Sequence, residues 1–268
     1  MASTLAILSS NRVDQRFGLL RATKRRALVC YITAGYPDID QSLMLLRGLE
    51  AEGADVVEIG VPFSDPIADG PVIQESSQRA LAAGMTLEKT LDLVARAKLN
   101  IPVVLFSYLN PLIAAGEDCL RRAARCGVDG VLVTDLPVGA DADRERWLGE
   151  SDLAFIRLVA PTTPIERMRE ISSHGSGFVY LISRLGVTGI QETISADLAP
   201  TVERLRRATS LPICVGFGIS TAKQATAVAQ LADGVVVGSA LVQAAGRSIT
   251  EALLLTASLR AALDSSVG

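Results

Sequence analysis

Short apolar runs rich in β-branched residues alternate along the chain with longer segments of helical periodicity. Eight runs are predicted to form strands: 27–34, 55–61, 102–108, 130–135, 154–160, 178–183, 212–218 and 234–240. Between the strands, apolar residues recur at three- and four-residue spacing, as in 40–53 and 193–209, which predicts helices. Apolar strands that alternate with helices are typical of a parallel sheet covered by helices.

The junctions between helices and strands repeat as well. "AEGADVVEIG", "RCGVDGVLVTD" and "QLADGVVVGSA" each place an Asp before the strand, and in the first two a Gly ends the helix. No linker divides the chain, so we predict one (β/α)₈ TIM barrel over residues 1–268, with an extra helix at about 12–22 covering its bottom. The alternative, a doubly wound sheet, would place GxGxxG after the first strand, where the chain reads "TAGYPD".

Composition narrows the function classes. The 268 residues are 49% hydrophobic with a net charge of −3, which offers no bulk attraction to nucleic acid or to an anionic membrane. The longest apolar stretch is broken by Asn110 and Pro111 and is too short to span a bilayer. The four cysteines lack CxxC spacing, and His174 is the single histidine, so no two-histidine metal site is expected. We interpret His174 as a helix C-terminal cap and expect a cytoplasmic protein without a metal.

Two acidic residues lie in and after the second predicted strand. Glu58 stands among Val and Ile, where a carboxylate costs several kcal/mol unless it is paired, solvated or protonated. Catalytic groups of a barrel lie at the carboxyl ends of its strands, so Glu58 with a raised pKa would suit proton transfer near neutrality. Asp69 follows in a loop stiffened by three prolines, where we expect it to stay ionised in wetter surroundings. The structural alternatives are an Arg-paired or water-reaching Glu and an ordinary Asp-Gly turn.

Glycine-rich segments follow three neighbouring strands: "SRLGVTG" after the sixth, "GFGIS" after the seventh and "GSA" after the eighth. Barrels commonly bind phosphate with the loops after strands seven and eight and the N-terminus of a short helix. Glycines let the backbone approach an anion, and Ser239 can donate a hydrogen bond at a helix start. These segments therefore predict a phosphate site.

The motifs in this order, above all "GVPFSDPIADGP" at 60–71, resemble the tryptophan synthase alpha chain family over nearly the whole chain. The resemblance implies cleavage of indole-3-glycerol phosphate to indole and glyceraldehyde 3-phosphate without a cofactor, with Glu58 and Asp69 as the catalytic pair. It implies substrate-binding roles for Tyr31, Tyr180, Thr188, Gly189, Gly218, Gly238 and Ser239. Asp65, Pro66 and Asn110 would border a beta chain that carries pyridoxal phosphate, in an expected α₂β₂ complex. Cys30 stands where this family more often has Pro, so we expect Cys30 and Tyr31 to reshape the indole pocket.

The residues suit this reaction, in which Glu58 would deliver and remove protons while Asp69 hydrogen-bonds the ring N–H. Three alternatives keep the fold. A phosphosugar isomerase or epimerase would share the phosphate loops, but epimerases of this type usually need metal-binding histidines, which the single His174 cannot supply. A regulatory phosphate-binding subunit would not need an acid within a strand. A stand-alone lyase that releases free indole stays open, because nothing in the sequence reports affinity for a partner.

Overall fold

In the computed structural model, which describes residues 11–182, 197–216 and 218–265, eight parallel strands close into a barrel. Each strand pairs with the next along the chain, and β8 pairs with β1. The strands are β1 (Ala27–Thr33), β2 (Val56–Gly60), β3 (Val103–Ser107), β4 (Gly130–Val133), β5 (Ala154–Val159), β6 (Val179–Ile182), β7 (Ile213–Gly216) and β8 (Gly234–Val237). The predicted (β/α)₈ fold class is confirmed.

Helices surround the barrel. Those in the described residues are α1 (Arg12–Ala22), α2 (Ile39–Ala51), α3 (Pro71–Ala82), α4 (Leu87–Ala97), α5 (Leu109–Ala114), α6 (Cys119–Arg125), α7 (Ala142–Gly149), α8 (Ile165–Ser173), α9 (Leu198–Arg206), α10 (Ala222–Ala229), α11 (Ser239–Arg247) and α12 (Ile249–Ser265). The predicted helix at 40–53 is α2, and α9 lies within the one predicted at 193–209. More than one helix follows β2, β3 and β8, which a simple strand–helix repeat does not include.

Local chemistry sets the ends of several elements. Asp38, Thr86 and Thr221 each accept a hydrogen bond from the first turn of the helix that follows, which caps it. Strand β3 begins after Pro102, which has no N–H to donate to the ladder. Strand β8 ends at Val237, short of the predicted 240, because Ser239 already begins α11.

The barrel interior and the space under the helices form separate apolar clusters. The interior is filled mainly by alternate residues of the strands, among them Val29, Val56, Val104, Ile156 and Val236, together with Phe178, which directly precedes β6. Three residues of α1 join this cluster: Val13, Phe17 and Leu20. The ring of Phe17 lies 5.4 Å from that of Phe178, between centroids, so α1 packs against the bottom of the barrel.

The repeated Asp before the even-numbered strands has one structural role. Its carboxylate accepts a hydrogen bond from the backbone N–H at the start of the preceding, odd-numbered strand. The bond joins the odd and even strands at the bottom of the barrel. The pairs are Asp55 with Leu28 (2.8 Å), Asp129 with Val103 (2.9 Å) and Asp233 with Ile213 (2.9 Å). Before β6 the Ser176 hydroxyl takes this position and accepts a hydrogen bond from the backbone N–H of Phe155 at 2.8 Å. The sequence repeat therefore reflects a bond that fixes strand register.

His174 and the cysteines have structural roles. His174 is the C-cap of α8, as predicted, and its Nδ1 lies 3.0 Å from the carbonyl of Glu170. All four cysteines are free, and three of them are buried. None of the helices that the structure describes is long and apolar enough to cross a bilayer.

Candidate active site

Glu58 lies in the middle of β2 and is completely buried. In the strand register it stands beside Tyr31 of β1 and Val104 of β3, both of which line the inside of the barrel. Neither carboxylate oxygen has a hydrogen-bond partner among the described residues. Burial therefore raises the pKa of Glu58 to about 8, so the side chain keeps its proton at neutral pH.

Two tyrosines flank Glu58 in the barrel. Tyr31 extends from β1 over Gly60, whose Cβ, if it had one, would lie 2.6 Å from the ring Cζ. Tyr180 extends from β6 over Gly216 in the same manner, with 2.7 Å to its ring Cζ. Burial, and after it the nearby carboxyl of Glu58, raise the pKa of Tyr180. Glycine is required at 60 and 216 because any larger residue would displace a tyrosine from the site.

Asp69 lies on the loop between β2 and α3 and is half-buried. The hydroxyl of Tyr108 donates to its Oδ2 at 3.1 Å and accepts from the backbone N–H of Ala68 at 2.9 Å. The side chain of Gln74 in α3 donates to the carbonyl of Asp69 at 2.9 Å. The loop is thus fixed by two contacts: Tyr108, after β3, binds the carboxylate, and Gln74, near the start of α3, binds the backbone carbonyl.

The surroundings of Asp69 differ from the expectation of a wetter loop. Desolvation raises the pKa of this carboxyl, and the Tyr108 hydrogen bond opposes that rise. Tyr108 was not singled out in the sequence, although it ends a predicted strand next to the proline-rich loop. Its ring packs on Phe63 with centroids 5.0 Å apart, so it anchors the loop through the ring and the carboxylate through the hydroxyl. An aromatic residue with a polar tip at the carboxyl end of a strand is the signal that could have identified it.

The described part of the predicted phosphate site lies at the ends of β7 and β8. Gly218 is exposed and has φ of +81°, a backbone conformation that favours glycine. Gly238 precedes α11, and no side chain caps this helix N-terminus. Ser239 is exposed at its first position. Free N–H groups at the start of a helix attract an anion. Thr188 and Gly189 lie outside the described residues.

The residues predicted to face a partner lie on the same side of the barrel as the acids. Asp65 is exposed and Pro66 is half-buried in the loop after β2, and Asn110 is exposed in α5 after β3. Tyr108 joins the two segments, since it stands two residues before Asn110 and bonds to the Asp69 loop. Within the described residues, no three His, Cys, Asp or Glu side chains are grouped as metal ligands would be.

The structure is a closed (β/α)₈ barrel with a protonated glutamate in its interior, a second carboxyl on the next loop and an uncapped helix N-terminus after β8. These features define an acid–base enzyme of the barrel class. The model of the family described as "Tryptophan synthase alpha chain" matches residues 17–264. The chain is 47% identical to the tryptophan synthase alpha chain of Caulobacter sp. (strain K31), over 94% of this chain and 95% of that protein.

Solved structures agree with the family model. Subunit alpha of tryptophan synthase from Legionella pneumophila superposes with a TM-score of 0.87 at 35% identity, covering 96% of this chain and 99% of that one. An open form of tryptophan synthase from M. tuberculosis gives 0.87 at 33% identity, covering 95% and 99%. The chain belongs to the tryptophan synthase alpha chain family. The reaction of this family is the lyase cleavage of indole-3-glycerol phosphate in tryptophan biosynthesis, in which this chain has the alpha-subunit role.

The buried Glu58 predicts a pH-dependent difference in stability between the wild type and Glu58→Gln. The unfolded chain ionises this residue near pH 4.5, whereas the folded chain keeps the proton to about pH 8. Folding therefore takes up a proton in this window, and the wild-type free energy of unfolding falls as the pH rises through it. Gln has no proton to lose. We therefore expect the stability of the variant relative to the wild type to rise by up to about 5 kcal/mol between pH 4.5 and 8, with no further rise above pH 8. Urea unfolding of both chains across this range measures the difference, and parallel pH curves would contradict it.

Proposed function

We propose that this chain cleaves indole-3-glycerol phosphate with Glu58 as the proton carrier and Asp69 as the partner of the indole N–H. The observation that carries the proposal is Glu58 itself, a completely buried carboxyl with a pKa of about 8 inside the barrel. A strand glutamate without a bonded partner destabilises the fold, so its presence favours a catalytic role.

The reaction balances with these two groups. Protonated Glu58 gives its proton to C3 of the indole ring, and the positive character that develops at the ring nitrogen is stabilised by the Asp69 carboxylate, which accepts a hydrogen bond from the N–H. The bond between C3 and the glycerol carbon then breaks, and its electron pair returns to the ring. The hydroxyl on that carbon loses its proton to the Glu58 carboxylate and becomes the aldehyde. The products are indole and glyceraldehyde 3-phosphate, and Glu58 is protonated again.

The substrate phosphate is assigned to the ends of β7 and β8. Gly218 permits close approach of the backbone, and the uncapped N–H groups of α11 together with Ser239 supply donors. Thr188 and Gly189 are assigned to the same subsite on the family resemblance alone. The chain needs no cofactor for this chemistry, since both proton transfers and charge stabilisation come from its own side chains.

The partner is proposed to be a tryptophan synthase beta chain, which binds across the loop after β2 in an α₂β₂ complex of the cytoplasm. Ile67 supports this surface, because it is 86% exposed between Pro66 and Asp69. Beside it a groove of about 470 Å³ runs along α3 and is lined by Phe63, Ser64, Asp65, Pro66, Ile67, Gln74, Gln78 and Leu81. An exposed aliphatic residue next to a concave surface with a polar rim is typical of an interface. Pyridoxal phosphate would be held by the beta chain only.

The decisive experiment measures indole release from indole-3-glycerol phosphate by the purified chain, alone and with a tryptophan synthase beta chain. We expect cleavage by the chain alone and faster cleavage in a complex that elutes as one species on size exclusion. Cleavage without any effect of the beta chain, and without a complex, would favour the stand-alone lyase. Absence of cleavage in both conditions would overturn the proposed reaction and favour a phosphate-binding regulatory subunit.

A pair of surface variants tests the partner surface in the same assay. Ile67→Ser removes the exposed anchor, and Leu254→Ser makes a matched change on α12, where Leu254 is 65% exposed. We expect Ile67→Ser to reduce the stimulation by the beta chain about tenfold or more while Leu254→Ser leaves it unchanged. Equal behaviour of the two variants would remove Ile67 from the interface.

A further inference from the structure

Tyr36, on the loop after β1, occupies an unusual position against the helix that follows β8. Its side chain is 8% exposed and its hydroxyl lies directly over Gly246 of α11. A Cβ on Gly246 would overlap the hydroxyl oxygen and would lie 3.2 Å from the ring Cζ. The phenol therefore reaches α11 because the helix has a glycine at this point.

A second helix also contacts the Tyr36 side chain. The Arg79 guanidinium carbon lies 5.0 Å from the ring centroid of Tyr36, a cation–π contact, and Arg79 Nη1 lies 3.3 Å from its hydroxyl, as donor. Arg79 belongs to α3, the helix that begins directly after Asp69 and Gly70. Tyr36 thus contacts α3 and α11 at once.

Apolar packing continues this connection toward the active site. Tyr31, Tyr36, Ile73 and Val242 form one small buried cluster, here called the Tyr36 cluster. Ile73 lies in the first turn of α3, and the N–H of Val242 donates to the carbonyl of Gly238 in the first turn of α11. The cluster therefore lies between the start of the helix that follows Asp69 and the start of the helix assigned to phosphate. Since Gln74 of α3 bonds to the carbonyl of Asp69, a shift of α3 would move the Asp69 backbone.

We propose that Tyr36 is a positioning residue, which sets the separation between the phosphate end of α11 and the Asp69 loop through its joint contacts with Gly246 and Arg79. The proposal rests on the proposed function, because that function places the phosphate on α11 and the ring N–H on Asp69. A substrate bound at both ends needs this separation to be correct before Glu58 can reach the ring carbon. Tyr36 itself does not touch the reacting atoms.

The test is a double-variant cycle on Tyr36 and Gly246. Gly246→Ala displaces the phenol, and we expect the KM for indole-3-glycerol phosphate to rise about tenfold with a smaller change in kcat. Adding Tyr36→Phe removes the overlapping oxygen and leaves ring carbon at 3.2 Å, so the double variant is expected to return to within about threefold of wild type. Tyr36→Phe alone completes the cycle. Gly18→Ala is the matched control, because a Cβ on this helical glycine of α1 meets no atom within 4 Å.

Amide hydrogen exchange of the same variants gives a readout independent of catalysis. We expect faster exchange in residues 61–74 and 238–247 of Gly246→Ala, and wild-type rates in the double variant. An unchanged KM in Gly246→Ala, or a double variant as impaired as the single one, would overturn the positioning role. If the wild type did not cleave the substrate, the proposed function would fail, and unchanged exchange in residues 61–74 of Gly246→Ala would then overturn the coupling as well.

Discussion

Replacing Glu58 by Gln is expected to lower the rate of indole release from indole-3-glycerol phosphate by about 10²–10⁴-fold. Gln fills the same space in β2 but cannot give a proton to the ring carbon or take one from the side-chain hydroxyl. Because the carboxyl has no hydrogen-bond partner among the described residues, its loss breaks no contact seen there. The loss of rate should therefore appear in kcat, with little change in the affinity for the substrate.

Two further variants show whether the effect belongs to the site. Asp69→Asn keeps the loop bond from Tyr108 but removes the charge, and we expect it to lower kcat about 10²-fold. Glu203→Gln makes the same chemical change as Glu58→Gln at an exposed position of α9 and should leave the rate unchanged. A loss of less than tenfold in Glu58→Gln, with the fold intact by circular dichroism, would assign the proton transfer to another group.

The two acids were predictable because each violates its local pattern. Glu58 interrupts an apolar strand, and Asp69 stands in a loop with more prolines than a turn needs. Tyr108 violates no pattern, since a tyrosine at the end of a strand is ordinary. Its role depends on β3 lying next to β2, which brings it against the Asp69 loop. Contacts between loops of neighbouring strands depend on tertiary structure and have no signal at the level of spacing.

The same limit applies to burial and to glycine. Asp69 was expected in wetter surroundings, but it is half-buried, and desolvation raises the pKa of its carboxyl. Gly60 and Gly216 look like weak strand residues in the sequence, because glycine packs poorly in a strand. Glycine is needed at each of these positions because a tyrosine side chain from a neighbouring strand packs directly against it. A glycine within an apolar strand therefore indicates close approach, but the approaching residue is identified only by the fold.

The Asp that repeats before the strands has contacts that its sequence pattern does not predict. In the sequence it marks a helix-to-strand junction, whereas in the structure Asp55 is a completely buried side chain that pairs with two arginines at the bottom of the barrel. Its Oδ1 lies 2.6 Å from Arg16 of α1, and its Oδ2 lies 2.9 Å from Arg260 of α12 while accepting the N–H of Leu28 at 2.8 Å. Helices α1 and α12 and strand β1 are thus bound to one carboxylate, three residues before Glu58.

Asp55→Ala is expected to lower the free energy of unfolding by about 3–5 kcal/mol, because the buried Arg260 guanidinium then keeps only the partly exposed Asp264 as an acidic partner and the buried Leu28 N–H loses its acceptor. Asp143→Ala is the matched control, since its pair with Arg146 is exposed on α7 and should contribute less than about 1 kcal/mol. Asp55→Asn keeps an acceptor for the Leu28 N–H and should fall between the two. Urea unfolding at pH 7 measures all three, and equal losses in Asp55→Ala and Asp143→Ala would contradict the prediction. The hydrogen bond from the Leu28 N–H to Asp55 also holds β2 in register with β1 and so keeps Glu58 beside Tyr31. The geometry of the active site therefore depends on this contact at the bottom of the barrel.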